Sequence, residues 1–225
     1  MQYEIVGAPY PVVVCHLEAG ESVKTEQGSM TWMDPCFEMQ TTGGGIKKMF
    51  GKALSQEGLF DNIYVANQPG KIAFGSSFPG DIIPLEIAPN REFVVQKRSF
   101  LASEVGVELS MHFNQSLGGG FFGGEGFIMQ KLSGQGVAFV EVDGSLVRYD
   151  LQPGQQLLVD TGSVMGFSVG VTMDVQQVKG LKNKLLGGEG LFNTRLTGPG
   201  TVWIQTMPMS SFIDTLLPFI KTGNK

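Results

Sequence analysis

Short apolar runs, separated by turns rich in glycine and proline, follow one another along most of the chain. In one run, Val107, Leu109 and Met111 alternate with a glutamate and a serine. Such alternation is typical of a strand with one buried face and one solvent-exposed face. Many short strands with turns about every 8–12 residues favour sandwiches and rolls. The pattern therefore predicts an all-β fold rather than a parallel sheet with crossover helices.

One motif of this kind occurs three times. A Glu-Gly pair precedes two apolar residues, and a turn containing glycine then leads to a second apolar strand. The glutamates are Glu57, Glu125 and Glu189, and the two intervals between them are almost equal. A near-constant period is the signature of internal repetition, and each copy predicts two short strands joined as a hairpin.

A second motif recurs with a similar period. A Leu-x-x-Gly head marks a turn at Gly20 and at Gly154, and Asn90 takes the place of the glycine in the middle copy. Asparagine suits that place because it tolerates positive φ. The intervals between these three turn residues closely match those between the glutamates. A strand and a second turn follow each head, and these second turns are Gly28-Ser29, Arg98-Ser99 and Gly162-Ser163.

The repeats predict three β modules that pack as near-equivalents about a pseudo-threefold axis. Their boundaries are residues 1–76, 77–142 and 143–209, and residues 210–225 form a C-terminal helix and tail of the same body. Ser211 and Asp214 indicate a capping box at the start of this helix. We expect its apolar stripe to pack on the protein's own β fold, with an oligomer or membrane contact as the alternative.

Together these motifs resemble those of the bacterial relatives of altered-inheritance-of-mitochondria protein 24. The likeness covers roughly residues 2–212, and the repeated Glu-Gly-[Leu/Phe]-[Phe/Ile] segment is its most specific part. The resemblance implies three fused units of the tryptophan RNA-binding attenuation protein (TRAP) type, each a shortened double-stranded β-helix. Mitochondrial members of the family are associated with inner-membrane organisation. The resemblance brings no catalytic residue to this chain.

Composition and charge restrict the compartment and the partners. Of 225 residues, 42% are hydrophobic and only 16% are charged, which is enough for a large core. The net charge of −5 argues against nucleic acid as a partner. Cys15 and Cys36 make no disulfide framework, and no secretory signal or membrane-length apolar run is evident. We expect a soluble cytoplasmic protein, with peripheral membrane association as an open possibility.

Familiar catalytic and cofactor motifs match this chain poorly. A cupin-type metal site needs a His-x-His pair with further ligands, whereas His16 and His112 are the two histidines and lie far apart in sequence. Adding Cys15 and Cys36 gives no zinc-ligand spacing, so we predict no metal and no cofactor. The glycines of residues 118–123 match a dinucleotide fingerprint only formally, because they lead into a β segment and not a helix.

Two sets of residues are candidates for a binding site. Glu57, Glu125 and Glu189 would converge on a cation if the modules surround one axis, although we favour a role in satisfying turn N–H groups. The second set would face an anionic membrane or a protein partner. It lies in the glycine-rich segments and consists of Lys47, Lys48, Lys52, Lys179, Lys182, Lys184, Phe121 and Phe122. The alternative for these segments, slightly favoured, is that their apolar pairs plug the module ends while the lysines stay solvated.

These features favour an uncharacterised, non-catalytic binding or scaffold protein that associates with a membrane surface or a protein and forms a homo-oligomer. The alternative, from a different class, is a small-ligand-binding or enzymatic barrel with a pocket between repeats and the three glutamates as its acids. RNA binding, by analogy with the single-unit relative, is disfavoured by the acidic balance.

Overall fold

The computed structural model describes residues 1–26, 28–41, 62–115, 126–177, 192–216 and 219. These residues form nineteen β-strands, two 3₁₀ turns and one α-helix. The predicted all-β class with a short C-terminal helix is therefore confirmed.

The strands of the described residues are short, and every ladder between them is antiparallel where its register is known. In chain order they are β1 (Gln2–Val6), β2 (Val12–Leu17), β3 (Ser22–Thr25), β4 (Met30–Met33), β5 (Phe37–Thr41), β6 (Asn62–Ala66), β7 (Gly70–Gly75), β8 (Gly80–Ile87), β9 (Phe93–Gln96), β10 (Phe100–Glu104), β11 (Val107–Gln115), β12 (Phe127–Gly134), β13 (Gly136–Asp143), β14 (Leu146–Leu151), β15 (Gln156–Asp160), β16 (Val164–Ser168), β17 (Thr172–Gln177), β18 (Phe192–Thr197) and β19 (Gly200–Gln205). The 3₁₀ turns are Lys97–Ser99 and Thr161–Ser163, and the helix α1 is Met209–Leu216.

The chain divides into two compact units whose segments are interleaved along the sequence. Unit 1 comprises Met1–Pro89, Arg98–Glu108 and Ser133–Glu141. Unit 2 comprises Asn90–Lys97, Leu109–Leu132 and Val142–Lys225. The sequence predicts three modules with boundaries at residues 76, 142 and 209. This division into two units does not test those boundaries, which stay a prediction.

Unit 1 contains two sheets, and each of their strands lies wholly or mostly within the unit. One sheet has the order β1-β2-β7-β4, and the other has the order β5-β6-β3-β10-β13-β8. The core joins Val13 and Phe74 of the first sheet with Val23, Phe37 and Phe139 of the second, all buried. Burying one such side chain contributes about 1.5–3 kcal/mol, so packing between the sheets stabilises the unit.

Unit 2 is built in the same way from a six-stranded and a three-stranded sheet. Their orders are β11-β12-β9-β16-β19-β14 and β15-β18-β17. Phe127, Phe167 and Val202 of the larger sheet share a buried cluster with Leu196 of the smaller one. Partly buried side chains such as Leu157 of β15 pack against this cluster.

The hairpin predicted for the repeated glutamate motif is wrong. Strands β6 and β7 follow each other closely in the chain, yet β6 pairs with β3 and β5 whereas β7 pairs with β2 and β4. Strands β18 and β19 likewise lie in different sheets. Two apolar strands and a turn look alike in sequence whether the chain folds back or crosses to another sheet. The choice depends on distant strands, which the local pattern does not contain.

The turns predicted before β3 and β15 are confirmed, and both need glycine. Gly20 has φ of +86° and Gly154 has φ of +76°, in the left-handed region where a side chain is strained. The amide of Gly20 donates to the carbonyl oxygen of Ala66 at 2.7 Å, and that of Gly154 donates to Gly198 at 3.2 Å. The two turns therefore repeat the same bond at corresponding places in the chain.

One extra residue interrupts three ladders at corresponding places. The register shifts fall between Met30 and Trp32, between Phe100 and Ala102, and between Val164 and Gly166. Such bulges bend a strand and increase its twist. At the third bulge a Cβ added to Gly166 would lie 2.6 Å from the carbonyl oxygen of Val94, on the neighbouring strand β9. Glycine is required there because the two backbones approach too closely for a side chain.

We expect Gly166→Ala to lower the free energy of unfolding by about 1–3 kcal/mol, because the added methyl group overpacks a buried strand. Urea unfolding monitored by tryptophan fluorescence measures the change. Val169→Ala is the control, since Val169 is exposed and its truncation should change stability by less than about 0.5 kcal/mol. Equal stability of Gly166→Ala and the wild type would contradict the close approach of β9 and β16.

Candidate interaction surface

The candidate residues named from the sequence all fall outside the described part of the chain. They are Glu57, Glu125, Glu189, Lys47, Lys48, Lys52, Lys179, Lys182, Lys184, Phe121 and Phe122. The convergence of the glutamates and the exposure of the lysines therefore stay predictions.

The two histidines lie on different strands and have different surroundings. His16 of β2 is half-buried, with Nε2 at 3.4 Å from Oε1 of Glu4. His112 of β11 meets Phe167 edge-on, with ring centroids 6.1 Å apart. Partial burial, and then the nearby charge of Lys131, lower the pKa of the His112 imidazole. Within the described ranges, no three His, Cys, Asp or Glu side chains are grouped closely enough to hold a metal ion.

Both cysteines are free thiols, and they differ in access to solvent. Cys15 lies inside β2, where burial raises the pKa of its thiol to about 12. Because the thiolate is the nucleophilic form, this side chain is chemically inert at neutral pH. Cys36 is only partly buried and lies just before β5. Cys15 is therefore a core residue of unit 1, as its place in the buried cluster shows.

A buried acid, Glu141, was not singled out from the sequence. Its carboxylate accepts hydrogen bonds from Ser76 Oγ at 2.9 Å, from the Ser77 amide at 2.6 Å and from Ser77 Oγ at 2.8 Å. These donors belong to the loop after β7, so Glu141 fixes the path of that loop. No sequence signal links Glu141 to a serine pair so far back along the chain.

Two buried glutamines of unit 2 surround the 3₁₀ turn at Thr161–Ser163. Gln96 Nε2 donates to the carbonyl oxygens of Val164 at 2.7 Å and Gly162 at 3.2 Å. Gln205 Nε2 donates to the same Gly162 carbonyl at 3.0 Å. Because these amides bind backbone groups that are buried with them, they stabilise the turn between β15 and β16.

Helix α1 begins at Met209, so the capping box predicted at Ser211 and Asp214 is wrong. The Met209 amide donates a hydrogen bond to Oδ2 of Asp143 at 2.8 Å. Asp143 is distant from the helix in sequence. A carboxylate at this end of a helix also interacts favourably with the helix dipole. Ser211 instead lies within the helix, where its carbonyl oxygen accepts from Thr215 Oγ1. The cap comes from the end of β13, so a local sequence pattern could not have identified it.

The apolar stripe of α1 faces solvent. None of the eight helix residues is buried, and Phe212, Ile213 and Leu216 are 37%, 46% and 39% exposed. Phe219, just beyond the helix, is 82% exposed. Leu217 and Ile220 of the predicted stripe lie outside the described residues, so the expectation that the stripe packs on the protein's own β fold stays a prediction. Exposed apolar side chains that lie side by side mark interaction sites, and we call Phe212, Ile213 and Leu216 the apolar face of α1.

Several large apolar side chains are exposed on edge strands, and Trp32 and Leu158 are two of them. Trp32 lies on β4, the last strand of the four-stranded sheet of unit 1, and Leu158 lies on β15, an edge of the three-stranded sheet of unit 2. Exposed edges offer backbone groups for pairing with another chain. Across the described residues, no helix is both long enough and apolar enough to cross a bilayer.

The comparisons with known proteins give one family model and two bacterial relatives. A family model described as mitochondrial biogenesis AIM24 matches residues 3–207. An uncharacterized protein of Streptococcus pyogenes serotype M6 is 28% identical over 225 residues, which is 96% of this chain and 89% of that protein. The X-ray structure of a Streptococcus pyogenes protein matches with a TM-score of 0.79 at 25% identity, covering 97% of this chain and 99% of that chain. None of these descriptions states a reaction or a ligand.

The environment of the two thiols predicts a large difference in reactivity. At pH 8, a thiol-specific reagent should modify Cys36 at least about a thousandfold faster than Cys15, because burial and the raised pKa both suppress the Cys15 thiolate. Absorbance of the released chromophore measures both rates, and unfolding in guanidinium should expose the second thiol. Cys36→Ser is the control and should abolish the fast phase. A fast phase that persists in Cys36→Ser would contradict the burial of Cys15.

Proposed function

This chain belongs to the mitochondrial biogenesis AIM24 family, and we propose that it is a non-catalytic scaffold protein that self-assembles and binds an anionic membrane surface. The exposed apolar face of α1 is the observation that carries this proposal. A fold that leaves three large apolar side chains of one helix partly in water gains free energy when another apolar phase covers them.

The helix has the features of an interfacial anchor. Its apolar residues recur at helical spacing, while Ser210, Asp214 and Thr215 supply polar positions between them. Interfacial helices lie in the plane of the headgroups and insert only the apolar face. The hydrogen bond from Met209 to Asp143 fixes the start of α1, so little ordering is required when it meets a surface.

Lysines supply the preference for anionic lipid in this proposal. Lys221 and Lys225 follow the apolar face in sequence, and the glycine-rich segments carry the six candidate lysines named above. Each lysine close to an anionic membrane contributes about 1 kcal/mol. The net charge of −5 would oppose such binding if the charges were evenly spread, so clustered lysines are required.

The strand pairing supports the proposed division into three TRAP-like repeats. In each successive set of six strands from β2 onward, the sixth strand lies between the first and the third, as in β2-β7-β4, β8-β13-β10 and β14-β19-β16. The fifth lies between the second and the fourth, as in β3-β6-β5, β9-β12-β11 and β15-β18-β17. Copies of one module suit a scaffold, because each offers the same edges for assembly.

Co-sedimentation with vesicles tests the membrane proposal. We expect the wild type to bind vesicles containing anionic lipid, and the double variant Phe212→Ser plus Ile213→Ser to bind about tenfold more weakly, since a loss of about 1.4 kcal/mol is tenfold. Met39→Ser plus Val105→Ser is the matched control, because it removes two exposed apolar side chains elsewhere. Wild-type protein that stays in the supernatant would refute membrane binding.

A charge-reversal pair tests the glycine-rich segments separately. Lys47→Glu plus Lys182→Glu should weaken binding to anionic vesicles by at least about tenfold, because each reversal removes one attraction and adds one repulsion. Binding to neutral vesicles measures the apolar contribution alone and should not change. Unaltered binding of the variant to anionic vesicles would reject these lysines as part of the surface.

A further inference from the structure

Two ladders join successive sets of six strands, and they are copies of each other. In unit 1, β3 pairs with β10 so that Thr25 lies opposite Ala102. In unit 2, β9 pairs with β16 so that Val95 lies opposite Gly166. The interval from Thr25 to Val95 equals that from the first turn residue, Gly20, to the second, Asn90. The interval from Ala102 to Gly166 equals that from Asn90 to the third turn residue, Gly154.

The same two intervals specify a third ladder. Val159 of β15 follows Val95 by the same interval as Gly154 follows Asn90, so Val159 is the copy of Val95 in the third set of strands. Trp32 of β4 precedes Ala102 by the same interval as Gly20 precedes Asn90, so Trp32 is the copy of Ala102 in the first set of strands. The third ladder would therefore pair β15 with β4, with Trp32 opposite Val159 and Met33 opposite Leu158. Among the described strands, β4 and β15 are each the last strand of their own sheet, so this ladder is not formed within the chain there.

The exposure of the side chains is consistent with two strands that each lack a pairing partner. At the paired positions, Ala102, Val94 and Phe167 are buried. At the corresponding edge positions, Trp32 is 47% exposed and Leu158 is 60% exposed. These apolar residues are typical of an interior strand, yet they lie at the edge of a sheet.

Neither strand carries a lysine, a proline or an inward-pointing charge, although β4 is short and contains the bulge between Met30 and Trp32. Natural edge strands are blunted by lysine, by proline or by inward-pointing charges. Strand β4 reads Met-Thr-Trp-Met and contains no charged residue and no proline. Strand β15 reads Gln-Leu-Leu-Val-Asp, with its acid at the last position. Both sequences favour pairing over repulsion.

We propose that β4 of one copy pairs with β15 of a second copy, antiparallel, in the register that places Trp32 opposite Val159. This pairing rests on the self-assembly included in the proposed function, and it assigns that self-assembly to the edges of β4 and β15. The two edges differ, so the contact is heterologous and leaves one β4 and one β15 edge available at the ends of each assembly. Repetition of such a contact builds a ring if the rotation closes and a filament if it does not.

Lysine substitutions at the two edges test the proposal. Sedimentation velocity should show assemblies for the wild type and monomers for Trp32→Lys and for Leu158→Lys, with an apparent dissociation constant raised by at least about tenfold, because a charge at a strand edge opposes pairing. Met39→Lys, at a similarly exposed position of β5, is the control and should assemble like the wild type. Circular dichroism verifies that each variant is folded.

Mixing the two variants provides the sharper result. Trp32→Lys retains a usable β15 and Leu158→Lys retains a usable β4, so an equimolar mixture should form a one-to-one dimer and grow no further. A mixture that stays monomeric would overturn the proposal, as would assembly of the single variants at wild-type strength. That second outcome would leave self-assembly through another face intact, whereas a monomeric wild type would refute self-assembly itself. Vesicle binding is measured separately in each case.

Disulfide trapping tests the register. In a Cys36→Ser background, chains carrying Trp32→Cys are mixed under oxidation with chains carrying Val159→Cys, and only a contact between copies can link them. We expect at least about fivefold more linked dimer than for Trp32→Cys mixed with Gln156→Cys, since opposite residues have Cβ atoms about 4.5–5.5 Å apart and the control pair lies far out of register. Equal yields from both mixtures would overturn the register.

Discussion

Pairing between strands that are distant in sequence is the constraint on which the rest of this structure depends. A strand must satisfy its backbone N–H and C=O groups, and here the chain neighbour that would do so in a hairpin is often used elsewhere. Strand β7 finds its partners in β2 and β4, and β3 finds one of its partners in β10. The buried clusters of both units follow from these ladders, because Phe74 and Phe167 are buried only when the sheets that carry them are assembled.

The same constraint explains which features the sequence predicts. Turns are local, so Gly20 and Gly154 could be identified from spacing and from the need for positive φ. Strands such as β5, β11 and β17 could be recognised from alternation within a few residues. The sheet to which a strand belongs depends on residues far away, and the hairpin predicted for β6 and β7 was wrong for that reason.

The candidate surface shows the same division between local and distant information. The apolar spacing of Phe212, Ile213 and Leu216 predicts an amphipathic helix, and α1 is present. Whether another element covers that face is decided by the tertiary structure, which leaves it exposed. The cap from Asp143 and the bonds of Glu141 to the serines after β7 join segments with no shared sequence pattern. Neither could be predicted from the chain alone.

The two proposed contacts reinforce each other energetically. A helix of eight residues presents only a few apolar side chains, so one copy should bind a membrane weakly and reversibly. Each copy added through β4 and β15 contributes another α1, and once one helix is bound the next acts at a high effective concentration. The gain requires that the assembly present its helices to one surface, because copies whose geometry forbids simultaneous contact add nothing. A scaffold of this kind needs no tight individual site, since repetition of one module supplies both the edges for assembly and the surface for attachment.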